Sequence, residues 1–121
     1  MKDFPVLERR KFVRLHAALE VVYQAIRRSR RPRPDGSFLR NISGGGVRMV
    51  VRDELRCGEL IDMEIQIPNL TDAVHAIGEV VWFQARKDKE KETNEAGLRF
   101  RDILPDDLNR VFEYVYSVAI G

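Results

Sequence analysis

The sequence predicts a mainly β domain, an antiparallel barrel or sandwich of six short strands followed by a C-terminal α-helix. Three observations lead to this fold class. Apolar and polar residues alternate over several short segments, turn residues separate these segments, and no helical pattern stands between them. Parallel strands would need crossover helices, so antiparallel pairing is expected. A chain of 121 residues has room for one domain.

Six segments have the composition and length of strands. They are residues 15–26, 37–42, 47–52, 61–67, 74–84 and 97–101. The clearest alternation runs from Ile61 to Ile67 and predicts one buried face and one solvent-facing face. An internal Gly78 indicates a β-bulge, and the charged stretch 86–95 is expected to form a hairpin loop.

The last segment has a helical pattern. Apolar residues recur there with a period of three to four, which is typical of an amphipathic helix. They form a stripe of Leu108, Val111, Phe112, Val115 and Ala119. Pro105 fits the first turn, and Asp106 and Asp107 follow it at the positive end of the helix dipole. We expect a helix over about 105–119.

Composition excludes several function classes. Cys57 is the single cysteine, and with only His16 and His75 beside it the chain can form neither an internal disulfide nor a structural zinc site. No nucleophile has a base at a recognisable spacing, so we expect no catalytic residues, no metal and no enzyme. No apolar run approaches the ~20 residues of a membrane span, and no signal peptide is visible. A cytoplasmic protein is expected.

Positive charge is concentrated at the start of the chain. Residues 1–40 hold eleven Lys and Arg against four Asp and Glu, whereas residues 41–121 hold ten against fifteen. This distribution favours an anionic partner, such as a phosphate-bearing ligand, for the first third of the chain.

Two short motifs give that anion a chemical identity. Arg10 and Arg14 form RxxxR, and Asn41, Ser43 and Gly46 form [DN]xSxxG. Guanidinium groups bind phosphate oxygens and the O6/N7 edge of guanine, while Asn and Ser side chains can hydrogen-bond a ligand. Glycines let backbone N–H groups approach an anion closely. Together the motifs predict a site for a guanine nucleotide.

The order of these motifs, followed by GEVVWF, by GLRF and by a closing helix, resembles the PilZ domain family over roughly residues 7–121. Members of this family are receptors for the bacterial second messenger cyclic di-GMP. The resemblance implies a six-stranded split β-barrel with a C-terminal helix as a domain over 15–121. It also implies a flexible N-terminal arm, 1–14, that carries RxxxR and closes over the ligand.

The resemblance further implies which residues bind the ligand. The first set is Arg9, Arg10, Arg14, Asn41, Ser43 and Gly46. A second set contains Trp82 and Arg99, which match ligand-contacting positions in some members, with Gly44 and Gly45 of the glycine turn. For Trp82, packing in the barrel is an equal alternative. An arginine at position 9, directly before RxxxR, goes in this family with an intercalated pair of cyclic di-GMP molecules per chain.

The function expected from this resemblance is that of a signal-transduction receptor. Ligand binding would order the arm against the barrel and change interactions with a downstream protein of a flagellar, exopolysaccharide or transcriptional system. Two alternatives remain: a PilZ-like docking module without ligand, and a binder of nucleic acid or anionic surfaces through the loop Arg27–Arg33. That loop lacks interleaved aromatic residues, so a nucleic-acid partner is not expected.

Overall fold

The computed structural model describes residues 14–26, 34–88 and 91–119. Over these residues the chain forms seven β-strands and one α-helix. In chain order they are β1 (Arg14–Leu15), β2 (Glu20–Ala25), β3 (Asp35–Ser43), β4 (Gly46–Val51), β5 (Leu60–Ile65), β6 (Val74–Asp88), β7 (Lys91–Ile103) and α1 (Pro105–Ala119).

Six of the strands close into an antiparallel barrel. The order runs from β3 through β2, β5, β6 and β7 to β4, and β4 pairs back with β3. The seventh strand, β1, pairs with the end of β3, where Arg14 lies opposite Ser43. The predicted fold class, a six-stranded antiparallel barrel with a C-terminal helix, is therefore confirmed.

The barrel interior holds the alternating apolar residues that the sequence pattern predicts. Ile61, Met63 and Ile65 of β5 have no exposed surface. Removing a side chain of this size from water stabilises the folded state by about 1.5–3 kcal/mol. Tyr23 is also buried, and its hydroxyl accepts a hydrogen bond from the backbone N–H of Arg52 at 2.9 Å. Burial of this hydroxyl raises the pKa of Tyr23.

The hairpin of β6 and β7 is longer than predicted. The stretch 86–95, expected to be a loop, continues the two strands up to Asp88 and from Lys91, and β7 reaches Ile103. Gln84 pairs with Glu95 and Ala85 with Asn94 in this extension. Backbone pairing requires no apolar side chains, so a polar hairpin shows no alternation in the sequence and is mistaken for a loop.

The first predicted strand, 15–26, is divided in two. Residues 16–19 leave the strand conformation, and the N–H of Leu19 donates to the carbonyl of Ala17 at 3.0 Å. This turn lets β1 and β2 pair with different parts of β3, at Ser43 and at Phe38 respectively. Arg14 is thereby placed beside the end of β3.

Two β-bulges interrupt the pairing of β6 with β7. The register shifts between Ile77 and Gly78, as the sequence predicts, and again between Val80 and Trp82. At the second bulge Val80 is buried, whereas the next two residues, Val81 and Trp82, are both exposed. The bulge therefore adds one residue to the outer face of β6.

The helix α1 has the predicted limits and contacts β1, β3 and β6. Val111 and Val115 are buried, whereas Ala119 at the end of the predicted apolar stripe is exposed. The carboxylate of Asp107 accepts a bond from the backbone N–H of His75 at 3.4 Å and another from Arg110 at 3.0 Å. The bond from His75 fastens the first turn to β6, and the bond from Arg110 lies within the helix. No helix among the described residues is long and apolar enough to cross a membrane.

Candidate functional site

An open surface cavity of about 480 Å³ lies where β1 and the β3–β4 turn meet β6 and β7. This volume is in the range of small-molecule binding sites. The lining residues are Arg14, Asn41, Ser43, Gly45, Gly46, Val47, Arg48, Val81, Trp82, Gly97, Leu98 and Arg99. We refer to this cavity as the cleft.

The cleft collects most of the residues that the sequence predicts to bind a ligand. From the first set it contains Arg14, Asn41, Ser43 and Gly46, and from the second set Gly45, Trp82 and Arg99. Arg9 and Arg10 lie outside the described residues. Gly44 lies against the helix instead, because a Cβ atom at this position would be 2.2 Å from the ring of Phe112.

Pairing of β1 with β3 brings the two motifs together. Arg14 lies opposite Ser43, so the last arginine of RxxxR stands beside the second motif. The Oγ of Ser43 accepts a hydrogen bond from the N–H of Gly45 at 3.1 Å and donates one to the carbonyl of Gly46 at 3.4 Å. Ser43 therefore shapes the turn that borders the cleft. Asn41 precedes this turn and is only 7% exposed.

Gly46 has a structural reason to be glycine. It pairs with Arg99 at the start of β4, and a Cβ atom there would lie 2.0 Å from the carbonyl oxygen of Leu98. Since that atom belongs to the backbone of β7, it could move aside only if the strand itself shifted. Glycine at position 46 therefore allows β4 to lie close to β7 at the edge of the cleft.

The floor of the cleft is one row of residues across three strands. Gly97 of β7 pairs with Arg48 of β4 on one side and with Trp82 of β6 on the other. The guanidinium carbon of Arg48 lies 5.8 Å from the centroid of the Trp82 ring, within cation–π distance. Trp82 remains 37% exposed, so it belongs to the cleft surface and is not enclosed in the barrel core.

A buried carboxylate lies next to this row, two residues before Gly97 on β7. Glu95 is 4% exposed, and its Oε1 accepts hydrogen bonds from Nε and Nη2 of Arg48 at 2.8 and 2.6 Å. Its other oxygen lies 3.5 Å from Nε of Arg40. A buried charge is tolerated only when it is paired in this way, so Glu95 and Arg48 fix each other's position.

A second acidic residue, Glu79, binds the arginine at the edge of the cleft, Arg99. Oε1 of Glu79 accepts bonds from Nη2 of Arg99 at 2.8 Å and from Nη1 of Arg101 at 2.7 Å. The hydrogen bond from Arg99, followed by that from Arg101, lowers the pKa of Glu79. Arg99 is thus oriented at the cleft edge while its side chain stays 60% exposed.

Comparison with known families identifies the domain. The family model of the PilZ domain matches residues 8–117. The chain belongs to the PilZ domain family. No curated protein matches it in sequence.

Solved structures similar to this PilZ domain share its fold at low sequence identity. The Bacillus subtilis inhibitor of motility MotI/DgrA is 22% identical with a TM-score of 0.75, over 94% of this chain and 53% of that chain. The PilZ domain of Escherichia coli YcgR with c-di-GMP is 17% identical, with a TM-score of 0.67, over 93% of this chain and 92% of that one. The K. pneumonia MrkH–c-di-GMP complex is 13% identical, with a TM-score of 0.70, over 95% and 54%. The present chain spans about half the length of MotI and MrkH.

Sequence reasoning missed two residues of the cleft floor in this PilZ domain, Arg48 and Gly97, and it also missed Glu95, which binds Arg48. The signal for Arg48 was available, because Val47 and Met49 are apolar strand residues and the residue between them must face outward. No comparable signal exists for Glu95, since a buried glutamate contradicts the polar-outside rule until its arginine partners are known.

Proposed function

We propose that this PilZ domain is a receptor for cyclic di-GMP and that the cleft is its binding site. The observation that carries the proposal is that Arg14, the last residue of RxxxR, lies opposite Ser43 of the second motif in one cleft, with Trp82 on its floor. Membership of the family and the c-di-GMP complexes of YcgR and MrkH support it.

The chemistry of the cleft suits a dianionic purine dinucleotide. Arg14, Arg48 and Arg99 bring three guanidinium groups to its surface. Phosphate oxygens accept charge-assisted hydrogen bonds from such groups, and the exposed face of Trp82 offers a stacking surface for a purine ring. Gly45 and Gly46 also line the cleft, so their backbone groups would lie close to the ligand. We propose a binding role and not a catalytic one.

The two arginines outside the described residues complete the proposal. Arg10 would act with Arg14 in gripping guanine edges and phosphates, and Arg9 would favour an intercalated pair of ligands. A stacked pair carries four phosphate charges, so a further guanidinium is well matched to it. Binding would order the arm, residues 1–14, against the domain over 15–121, because the phosphates neutralise the arm's repelling basic residues.

The output of such a receptor is a changed surface for a downstream protein. MotI is described as an inhibitor of motility and MrkH as a transcription regulatory factor dependent on c-di-GMP. These descriptions favour a flagellar or transcriptional partner for the present domain. Exopolysaccharide synthesis stays among the predictions.

Calorimetric titration of the full chain with cyclic di-GMP tests the receptor and its stoichiometry together. We expect saturable binding of two nucleotides per chain, reduced to one in Arg9→Leu. Absence of heat, together with unchanged fluorescence of Trp82, the only tryptophan of the chain, would refute the receptor and favour a docking module. One nucleotide per wild-type chain would refute only the intercalated pair.

Hydrogen exchange tests arm closure separately. We expect amides of residues 2–14 to gain protection when cyclic di-GMP is added, because an ordered arm exchanges more slowly. Unchanged protection at saturating ligand would contradict arm closure while leaving the binding site intact.

A further inference from the structure

The guanidinium of Arg48 is fixed in place and only partly used. Two of its nitrogens, Nε and Nη2, donate hydrogen bonds to Glu95. The third nitrogen, Nη1, makes no hydrogen bond within the part of the chain that the structure describes. The Arg48 side chain is 35% exposed and lines the cleft beside Trp82. One edge of the guanidinium group is therefore anchored, and the other is available to a ligand.

Anchoring by Glu95 matters because a free arginine side chain samples many rotamers. Holding it in one conformation removes the entropy loss that binding would otherwise cost. The anchor is itself immobile, since Glu95 is 4% exposed and Arg40 lies against its second oxygen at 3.5 Å. The position of the Arg48 donor is thus set before any ligand arrives.

The chemistry of that donor distinguishes the two purines. A guanidinium only donates hydrogen bonds. Guanine presents two acceptors, O6 and N7, along one edge, whereas adenine presents an amino donor in place of O6. A purine stacked on Trp82 would place one of its edges toward Arg48, because the guanidinium carbon lies 5.8 Å from the ring centroid.

We propose that Arg48 reads the O6/N7 edge of the guanine that stacks on Trp82, and that Glu95 positions it, so that this pair sets the preference of the cleft for guanine over adenine. The inference rests on the proposed function and assigns a specificity-determining role to residues outside both sequence motifs. Arg48 is the binding residue, and Glu95 acts through it.

The test compares cyclic di-GMP with cyclic di-AMP, which carries the same phosphates on the same ring. Arg48→Met should weaken cyclic di-GMP binding by about tenfold or more and cyclic di-AMP binding by less than about threefold. Arg52→Met is the matched control, because Arg52 is an exposed arginine that pairs with Asp35 and does not line the cleft. It should change the binding of either nucleotide by less than about threefold.

Equal weakening of both nucleotides by Arg48→Met would overturn the proposal, since it would indicate a phosphate contact or a general charge effect. Unchanged binding would overturn it too. Arg48→Lys covers the case in which the Met variant does not fold, because a lysine keeps the charge beside Glu95 but presents no second edge. The guanine preference should fall, because an ammonium group can still donate to O6 or N7 but lacks the fixed fork of a guanidinium, and an undiminished preference would overturn the proposal.

Glu95→Gln tests the positioning role by the sign of its effect. Removing a negative charge beside a dianionic ligand would by itself tighten binding. If Glu95 positions Arg48, cyclic di-GMP binding instead weakens by about tenfold and the guanine preference falls, because the guanidinium is released. Tighter binding would overturn the positioning role.

Failure of the wild-type chain to bind cyclic di-GMP would refute the proposed function, whereas normal wild-type binding with an unaltered preference in all three variants would refute this inference alone.

Discussion

The indole ring of Trp82 lies across Gly97 so closely that a Cβ atom at position 97 would be 2.1 Å from the indole Nε1. Gly97 leaves an empty place in the middle of a three-strand row, between Arg48 of β4 and Trp82 of β6, and the Trp82 ring fills it. A single residue without a side chain therefore determines the shape of the cleft floor.

Gly97→Ala should displace the Trp82 ring, because the added methyl group overlaps three of its atoms. We expect a shift in tryptophan emission, a loss of about 1–3 kcal/mol in unfolding free energy and a drop of about tenfold in cyclic di-GMP affinity. Since the chain has one tryptophan, its emission reports this position alone.

Gly36→Ala serves as the control for this change. A Cβ atom at Gly36 in β3 meets nothing within 4 Å, so the same chemical substitution adds no overlap there. If Gly97→Ala behaves like Gly36→Ala in emission and affinity, the packing of Trp82 on Gly97 does not shape the site.

Gly44→Ala should weaken the attachment of the helix. The new Cβ atom would be 2.2 Å from the ring of Phe112, and overpacking of this kind costs about 1–3 kcal/mol. Urea unfolding measures the loss. In a double-mutant cycle with Phe112→Leu the two changes should partly compensate, because the smaller side chain leaves room for the methyl group. Strictly additive losses would show that the two residues do not share this contact.

Much of the fold was predictable because a strand with one buried face alternates strictly between apolar and polar residues. The face of β5 that holds Ile61, Met63 and Ile65 is fully buried, as the pattern predicts, and α1 has the predicted limits. The β6–β7 hairpin was underestimated for the opposite reason. Its outer part pairs through the backbone, and backbone pairing leaves no alternation of apolar residues to read.

The candidate site was predictable only as far as local motifs reach. RxxxR and [DN]xSxxG are short enough to be recognised, and pairing of Arg14 with Ser43 brings them together. Trp82 is a residue whose orientation the local pattern does not predict. It follows the buried Val80 by two residues, so simple alternation places it inside the barrel, but the bulge between them turns it outward into the cleft.

Arg14→Ala should reduce cyclic di-GMP affinity by about 2 kcal/mol, because it removes the charge-assisted hydrogen bonds that we propose for Arg14. Titration calorimetry measures the change. Arg52→Ala is the matched control, since Arg52 has the same charge and a 73% exposed side chain but does not line the cleft. Equal losses in the two variants would mean that Arg14 contributes only to the overall charge of the domain.

Glu79→Gln should change the response of stability to acid. Bonds from Arg99 and then Arg101 lower the pKa of Glu79 from its usual value near 4.5. A carboxylate with a lowered pKa in the folded state stabilises that state above its usual pKa, and this contribution is lost as the pH falls through the lower value. The wild type should therefore be more stable than Glu79→Gln at about pH 6, with the difference shrinking toward about pH 3. Urea unfolding at a series of pH values measures it, with Glu64→Gln on β5 as the control for the same substitution at an exposed strand position. A difference that stays constant over this range would show that the two arginines do not stabilise the ionised form of Glu79.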